Sequence, residues 1–368
     1  MSSIPPEFHR VVEIARQKLL HLVTEYPDLM PSFTENGKWR LQQPGWTNWC
    51  EGFLGGALWL IYLLTEEARF RQHAEHYSRL IEERKTDRTV HDLGFLFLPT
   101  WGRWYRLDGN SYAREVLIEA GRTLAGRYQA AGRYLCSFQG VHSLYIDIMM
   151  NVPLVFEAAQ LSGEERLLRI AREHCHTTRR YLVRGDFSTA HEGIFDPESG
   201  RFICYQTQQG WRSDSTWVRG HCWALYGFTL AFRYTREAAF LSTAQGLADY
   251  YLLHTPEHGI PPNDWDEPNP KYPYESSAAA IAASGLLSLA DCTTDMLRAK
   301  VYWEAAQRIL STLCSDEFLA IDPQWEGILR HAIYHFPAEV GVDESTIWGD
   351  YFFLEAIGKI SQVLPPEC

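Results

Sequence analysis

Ser143-Leu-Tyr-Ile-Asp147-Ile-Met-Met-Asn151-Val-Pro-Leu154 places one carboxylate in an otherwise apolar run. A helix with polar residues only at its start must be enclosed by protein on every side. An ionised, unpaired aspartate in such a setting costs roughly several kcal/mol, so Asp147 must be paired, protonated or at a chain end. Helix capping would account for it without any chemistry. The chemical reading is an acid kept protonated by a raised pKa and ready to give its proton to a substrate. The two readings are compatible.

Working outward, runs of the same kind, rich in Gly, Ala and aromatics and poor in charge, begin near Thr47, His91, Tyr145, Asp214, Glu275 and Glu344. Between them, residues 7–25, 66–84, 110–130, 163–182, 236–253 and 294–314 show apolar residues at helical spacing with charge between. Six uncharged helices, each paired with an amphipathic one, predict an all-α fold: an (α/α)6 barrel of six inner and six outer helices. It is expected to form a single catalytic domain over 1–368, with the inner helix starts converging on one mouth. A flat helical solenoid should repeat more regularly. Gly193-Ile-Phe-Asp-Pro-Glu-Ser-Gly-Arg-Phe-Ile-Cys-Tyr-Gln206 breaks the pattern and reads as a short β-hairpin near 194–206. Pro256 to Tyr274 carries six prolines and is expected to be a long ordered loop near the mouth.

A net charge of −12 argues against a nucleic-acid partner. A small anionic substrate would need a local Arg and His cluster. Aromatic content of 14% suits a cleft that stacks sugar faces. The eight scattered cysteines read as reduced thiols, and Met1-Ser-Ser-Ile-Pro-Pro lacks the pattern of a signal peptide, so the expected location is cytoplasmic. The most apolar stretch, Phe53 to Leu64, is too short to span a bilayer, and no membrane partner is expected. Metal-ligand spacing, phosphate-binding glycine motifs and the Gly-x-Ser-x-Gly elbow are all missing, so neither metal nor cofactor is expected.

Polar groups gather at the inner helix starts: His91 and Asp92 at the second, Asp147 at the third, Trp217 and Arg219 at the fourth, with His191 and Gln209 just before it. Trp46 precedes the first. Asp147 and Asp92 supply the paired carboxylates that sugar chemistry uses. Each has a bland counterpart: capping for Asp92, an ion pair with Asp214 or another carboxylate for Arg219, a satisfied loop histidine for His191.

As a set, His91-Asp92-Leu-Gly94-Phe, Tyr145-Ile-Asp147-Ile-Met-Met-Asn151, Gln209-Gly, Asp214-Ser-Thr-Trp217-Val-Arg219-Gly220, Ser276-Ser-Ala-Ala-Ala-Ile-Ala-Ala-Ser-Gly285 and Trp348-Gly-Asp resemble the unsaturated glucuronyl hydrolases of glycoside hydrolase family 88. The resemblance runs from Trp46 to Ile360. It implies removal of a 4,5-unsaturated uronate from the non-reducing end of a lyase-generated oligosaccharide, by hydration of the C4=C5 vinyl ether. Asp147 would protonate C4 and Asp92 would assist, the two titrating as a coupled pair with one protonated and one ionised. His191, Gln209, Arg219, Trp46 and Trp217 would line the subsite for the unsaturated ring, and His91 and Phe138 complete the binding set. Many members carry Trp where this chain has Phe138. The Ser and Lys of members that accept sulfated disaccharides are not matched by His331-Ala-Ile-Tyr-His335-Phe-Pro337. Competing readings are an unsaturated rhamnogalacturonyl hydrolase acting on pectin fragments, a sugar epimerase using His191, His221 and His254, and a non-catalytic sugar-binding barrel.

Overall fold

A computed structural model describes residues 4–42 and 49–366. Twelve rods alternate between two rings. The outer ones are α1 (Pro6–Glu25), α3 (Ala68–Leu80), α5 (Ser111–Ala125), α7 (Glu165–Tyr181), α9 (Ala238–His254) and α11 (Met296–Leu313). The inner ones are α2 (Gly52–Thr65), α4 (93–108), α6 (Pro153–Ser162), α8 (Val218–Thr235), α10 (Ser276–Cys292) and α12 (Ile347–Ile360). Each inner helix packs on the next, and α12 packs on α2 to close the ring. This is the expected barrel.

The sequence explains the two rings. In α7 the buried residues Leu167, Ile170, Ala171, His174, Cys175 and Thr178 fall at helical spacing, with arginines and glutamates between them. In α10 every residue from Ser276 to Leu289 is buried, so that helix has neighbours all round. α4 is continuous but contains a single π-helical turn at Leu98–Gly102, where Pro99 offers no amide hydrogen to an α-type ladder.

Two inner starts differ from expectation. Ser143–Tyr145 is a strand and Ile146–Met150 a 3-10 turn, and the third inner helix begins only at Pro153. The fourth begins at Val218 rather than Asp214. The expected hairpin is present as Glu192–Phe195 paired with Phe202–Gln206, and Ser143–Tyr145 adds a third strand, with Tyr145 opposite Glu192. Hairpins at 30–42 and 332–344 were not anticipated. The proline-rich loop is ordered against the mouth, where Asn263 O accepts from Val218 N at 3.0 Å.

No helix among the described residues is long and apolar enough to cross a membrane. Cys50, Cys136, Cys175, Cys204, Cys222 and Cys314 form no disulfide. The reduced-thiol expectation fails at Cys292, which is disulfide-bonded.

Candidate active site

Asp92 stands at the N-cap position of α4, yet its side chain makes no capping bond. The orphan amide of Phe95 donates instead to Asn151 Oδ1 at 2.9 Å. Asn151 Nδ2 donates in turn to Asp147 O at 3.2 Å. One amide side chain therefore ties the segment bearing Asp92 to the segment bearing Asp147. The approach is close: a Cβ added at Gly94 would lie 2.3 Å from Asn151 Cα, which explains the glycine two residues after Asp92.

Asp147 caps nothing either. It sits in the 3-10 turn, and Ile146 N donates to His191 O at 2.9 Å to hold that turn on the three-stranded sheet. Its Oδ1 is buried without a hydrogen-bond partner among the described residues. Burial pushes Asp147 up from 3.8 to about 7; the Arg219 charge opposes the shift and the Glu192 charge adds to it. Burial likewise pushes Asp92 up to about 8, with the Asp147 charge adding. Both carboxyls are thus pushed toward the protonated form, Asp92 further than Asp147. Desolvation acts on both acids, opposed at Asp147 by the Arg219 charge and at Asp92 by those of Arg84 and Arg127.

His91 and His191 are both buried, and burial pushes each down to about 3, so each is neutral. His91 Nδ1 accepts from Phe138 N at 3.0 Å, which assigns the hydrogen to Nε2, 3.3 Å from Asp92 Oδ1. His191 Nδ1 accepts from Gln208 N at 3.2 Å, which assigns its hydrogen to Nε2 as well. That Nε2 has no partner among the described residues. Half-exposed Phe138 stacks on His91 with ring centres 5.7 Å apart at 12°.

Arg219, fully buried, is not paired with Asp214, which lies exposed and bridges Arg212 at 3.0 Å. The Arg219 guanidinium donates to Gln209 Oε1, to Ile333 O and, at 2.7 Å, to Tyr334 O. It is also sandwiched, 4.6 Å from the Trp217 ring centre and 5.4 Å from that of Trp348. Gly220 permits the packing of α8 on the 3-10 turn, since a Cβ there would meet Trp217 at 2.6 Å and Ile146 at 2.9 Å.

The expected set thus comes together as Asp92, Asp147, His91, His191, Gln209, Arg219, Trp217 and Phe138; Trp46 lies outside the described residues. The epimerase set does not. His221 is held between helices with Nε2 2.8 Å from Leu247 O, and His254 stacks on Tyr250 at the end of outer helix α9. Sequence reasoning missed three contributors. Asn151 lay in the deciding run, but its clamp depends on the fold. Glu192 follows His191 and, fully buried, accepts from Ser143 Oγ at 2.5 Å. Tyr145 packs on His191 with ring centres 5.0 Å apart.

Tyr145 Oη, Asp147 Oδ1, His191 Nε2 and Trp217 Nε1 are all buried without hydrogen-bond partners among the described residues. The rings chain together, with His191 and Trp217 centres 4.4 Å apart. Unpaired buried polar atoms are rare in native proteins, and four in one cluster mark a surface built to pair with a polar ligand.

The profile of Glycosyl Hydrolase Family 88 matches residues 22–339. An unsaturated glucuronyl hydrolase of Formosa agariphila is 34% identical over 322 residues, covering 85% of this chain and 80% of that protein. An unsaturated chondroitin disaccharide hydrolase of Streptococcus pneumoniae is 31% identical over 325 residues, covering 84% and 81%. The crystal structure of an unsaturated glucuronyl hydrolase from Bacillus sp. GL1 superposes with a TM-score of 0.92 at 30% identity, over 96% of both chains. One described as specific for heparin does so with a TM-score of 0.91 at 28% identity, over 97% of both. The chain is a glycosidase and belongs to glycosyl hydrolase family 88.

Proposed function

We propose that the enzyme removes a 4,5-unsaturated uronate from the non-reducing end of glycosaminoglycan-type disaccharides by hydrating the C4=C5 bond. The observation that carries this reading is Asp147: a half-buried acid whose Oδ1 is shut from solvent and unpaired among the described residues, pushed toward its protonated form by desolvation, with the buried acid Asp92 close enough for their charges to interact. Asp147 gives its proton to C4, and C5 becomes an oxocarbenium centre. The carboxylate left behind stabilises that charge at short range. It then takes a proton from the water that adds to C5. The resulting hemiketal opens by breaking its bond from C5 to the ring oxygen, leaving a ketone at C5 and a hydroxyl on C1. C1 collapses to an aldehyde, and the glycosidic oxygen departs with a proton on the second sugar. Asp92 and the Nε2–H groups of His91 and His191 hold sugar hydroxyls, and Trp217 and Phe138 offer ring faces to the sugars.

Arg219 has a double role in this scheme. In the free protein its charge favours ionised Asp147. A uronate carboxylate seated near it would cancel that pull and raise the proton affinity of Asp147 as the substrate binds. The relatives named as chondroitin disaccharide hydrolases support glycosaminoglycan substrates over pectin fragments. One continuous hydrophobic cluster, from Ile4 to Leu364, supports a single catalytic unit. The six cysteines outside any disulfide favour a cytoplasmic location and disulfide-bonded Cys292 weighs against it.

The test is the ultraviolet absorbance of the vinyl ether in an unsaturated chondroitin disaccharide. Its loss on adding enzyme, with release of the second sugar, is expected. Persistence of the absorbance across unsaturated chondroitin, hyaluronan and heparin disaccharides would sink the reading, and its loss with pectin-derived disaccharides alone would move the substrate class.

A further inference from the structure

Asp92 and Arg219 lie at the starts of inner helices, and Asp147 in the 3-10 turn that leads into another. At their other ends the barrel encloses a second cavity of about 310 Å³, reached by Leu63 of α2, Leu107 of α4, Leu230 of α8 and Lys359 of α12. Residues 363–366 also border it. Nothing in the proposed reaction uses this space.

Its lining has two characters. Phe53, Phe95, Leu98, Leu230 and Phe352 make apolar walls. Against them, among the described residues, stand the cations Arg103, Arg106, Arg233 and Lys359 and the carboxylate Glu355. Arg103 donates to Glu355 and, at 3.1 Å, to Tyr351 Oη. Lys359 lies 3.8 Å from the same glutamate. Arg106 is 3.7 Å from Glu157, behind the wall. The Arg103 guanidinium is not fully satisfied by this network: its Nε is shut from solvent with no hydrogen-bond partner among the described residues. A wall of arginines facing aromatic and aliphatic walls is matched by an anion carrying an apolar body.

We propose that this cavity binds a small amphipathic carboxylate, with its head on the arginines and its body against the aromatic walls. Gly94 and Met150 form part of the roof. They lie two residues after Asp92 and three after Asp147 (94−92, 150−147), so an occupant touches the segments that carry both acids.

The probe is 4-phenylbutyrate, titrated calorimetrically into the full-length enzyme beside its neutral counterpart 4-phenylbutan-1-ol. A compound of this size in a fitting site should bind with a Kd of about 0.1–1 mM. The alcohol should bind at least about tenfold more weakly, because charge-assisted bonds to arginine are lost. Arg106→Gln, which removes a partly exposed cation, should weaken the carboxylate by a similar factor. Leu107→Trp, which enlarges an exposed lining residue, should abolish binding by filling the space. Both positions are open to solvent, so melting temperatures near the wild-type value verify the fold of each variant. The proposal is overturned by no saturable binding up to 10 mM (roughly tenfold above the expected Kd), by equal affinity for the alcohol, or by affinity unchanged in both variants.

Discussion

Ser143 Oγ donates to Glu192 Oε1 at 2.5 Å, across the strand pair that ends two residues before Asp147. This bond fixes a third carboxylate near the two acids, and its charge is one of the causes that raise Asp147. Glu192→Gln keeps the shape and removes the charge. The alkaline limb of the kcat/KM profile should then move to lower pH, by roughly a few tenths to one unit. An unmoved limb with normal kcat would reduce Glu192 to a strand-pairing residue.

Asp147→Asn should lower turnover by about 100- to 10,000-fold, the usual contribution of a general acid, while the protein still folds. Since Asp147 caps no helix, the amide loses no structural bond. Turnover near wild type would remove Asp147 from the mechanism.

The pH–rate profile follows from the same group. Asp147 must carry its proton, and in the free protein it does so up to about 7. Steady-state kcat/KM should therefore be high on the acid side of neutrality and fall as pH rises through 7 and 8. A rate still rising at pH 9 would contradict a protonated carboxyl as the acid.

Stability should share this dependence, with a definite sign. The folded-state values, about 7 for Asp147 and about 8 for Asp92, lie above the usual 3.8. The unfolded chain releases these protons first, so stability declines between about pH 4 and pH 8, by up to about 4 kcal/mol for Asp147. Asp147→Asn and Asp92→Asn should each flatten that decline. Melting temperatures measured from pH 4 to pH 8 check this: the gap between variant and wild type must shift in the variant's favour as pH rises. A constant gap would show that the acids do not titrate in this range.

Arg219→Lys should cost at least about tenfold in kcat/KM, since an ammonium cannot bond Gln209, Ile333 and Tyr334 together while lying flat between two indoles. Arg219→Ala should lower the melting temperature as well, by removing donors from buried acceptors. Full activity in the lysine variant would reduce the guanidinium to a source of charge.

The barrel was legible because burial has a compositional signature: Ser276–Leu289 has no charge, whereas Glu165–Tyr181 alternates charge with apolar residues. The site was legible as a set of chemically capable residues at helix starts. What periodicity could not reveal was local backbone choice. Ser143–Tyr145 became a strand because the sheet at Glu192 offered it partners, and that pairing is invisible within the run itself. How far each acid is pushed up was hidden for a related reason, since desolvation depends on everything packed around a carboxyl. Asn151 shows the same limit: its two bonds reach 56 residues back to Phe95 and four residues back to Asp147.

The π-turn in α4 sets the relation between the two ends of the barrel. Such a turn holds one more residue than an α-turn, and each residue of a helix advances it by about 100°. Everything beyond Gly102 is thus rotated relative to a plain helix running on from Asp92. Arg103 and Arg106 reach the cavity wall from that rotated half. The rod works as a phase shifter, setting the aim of its lower half apart from that of the acid at its tip.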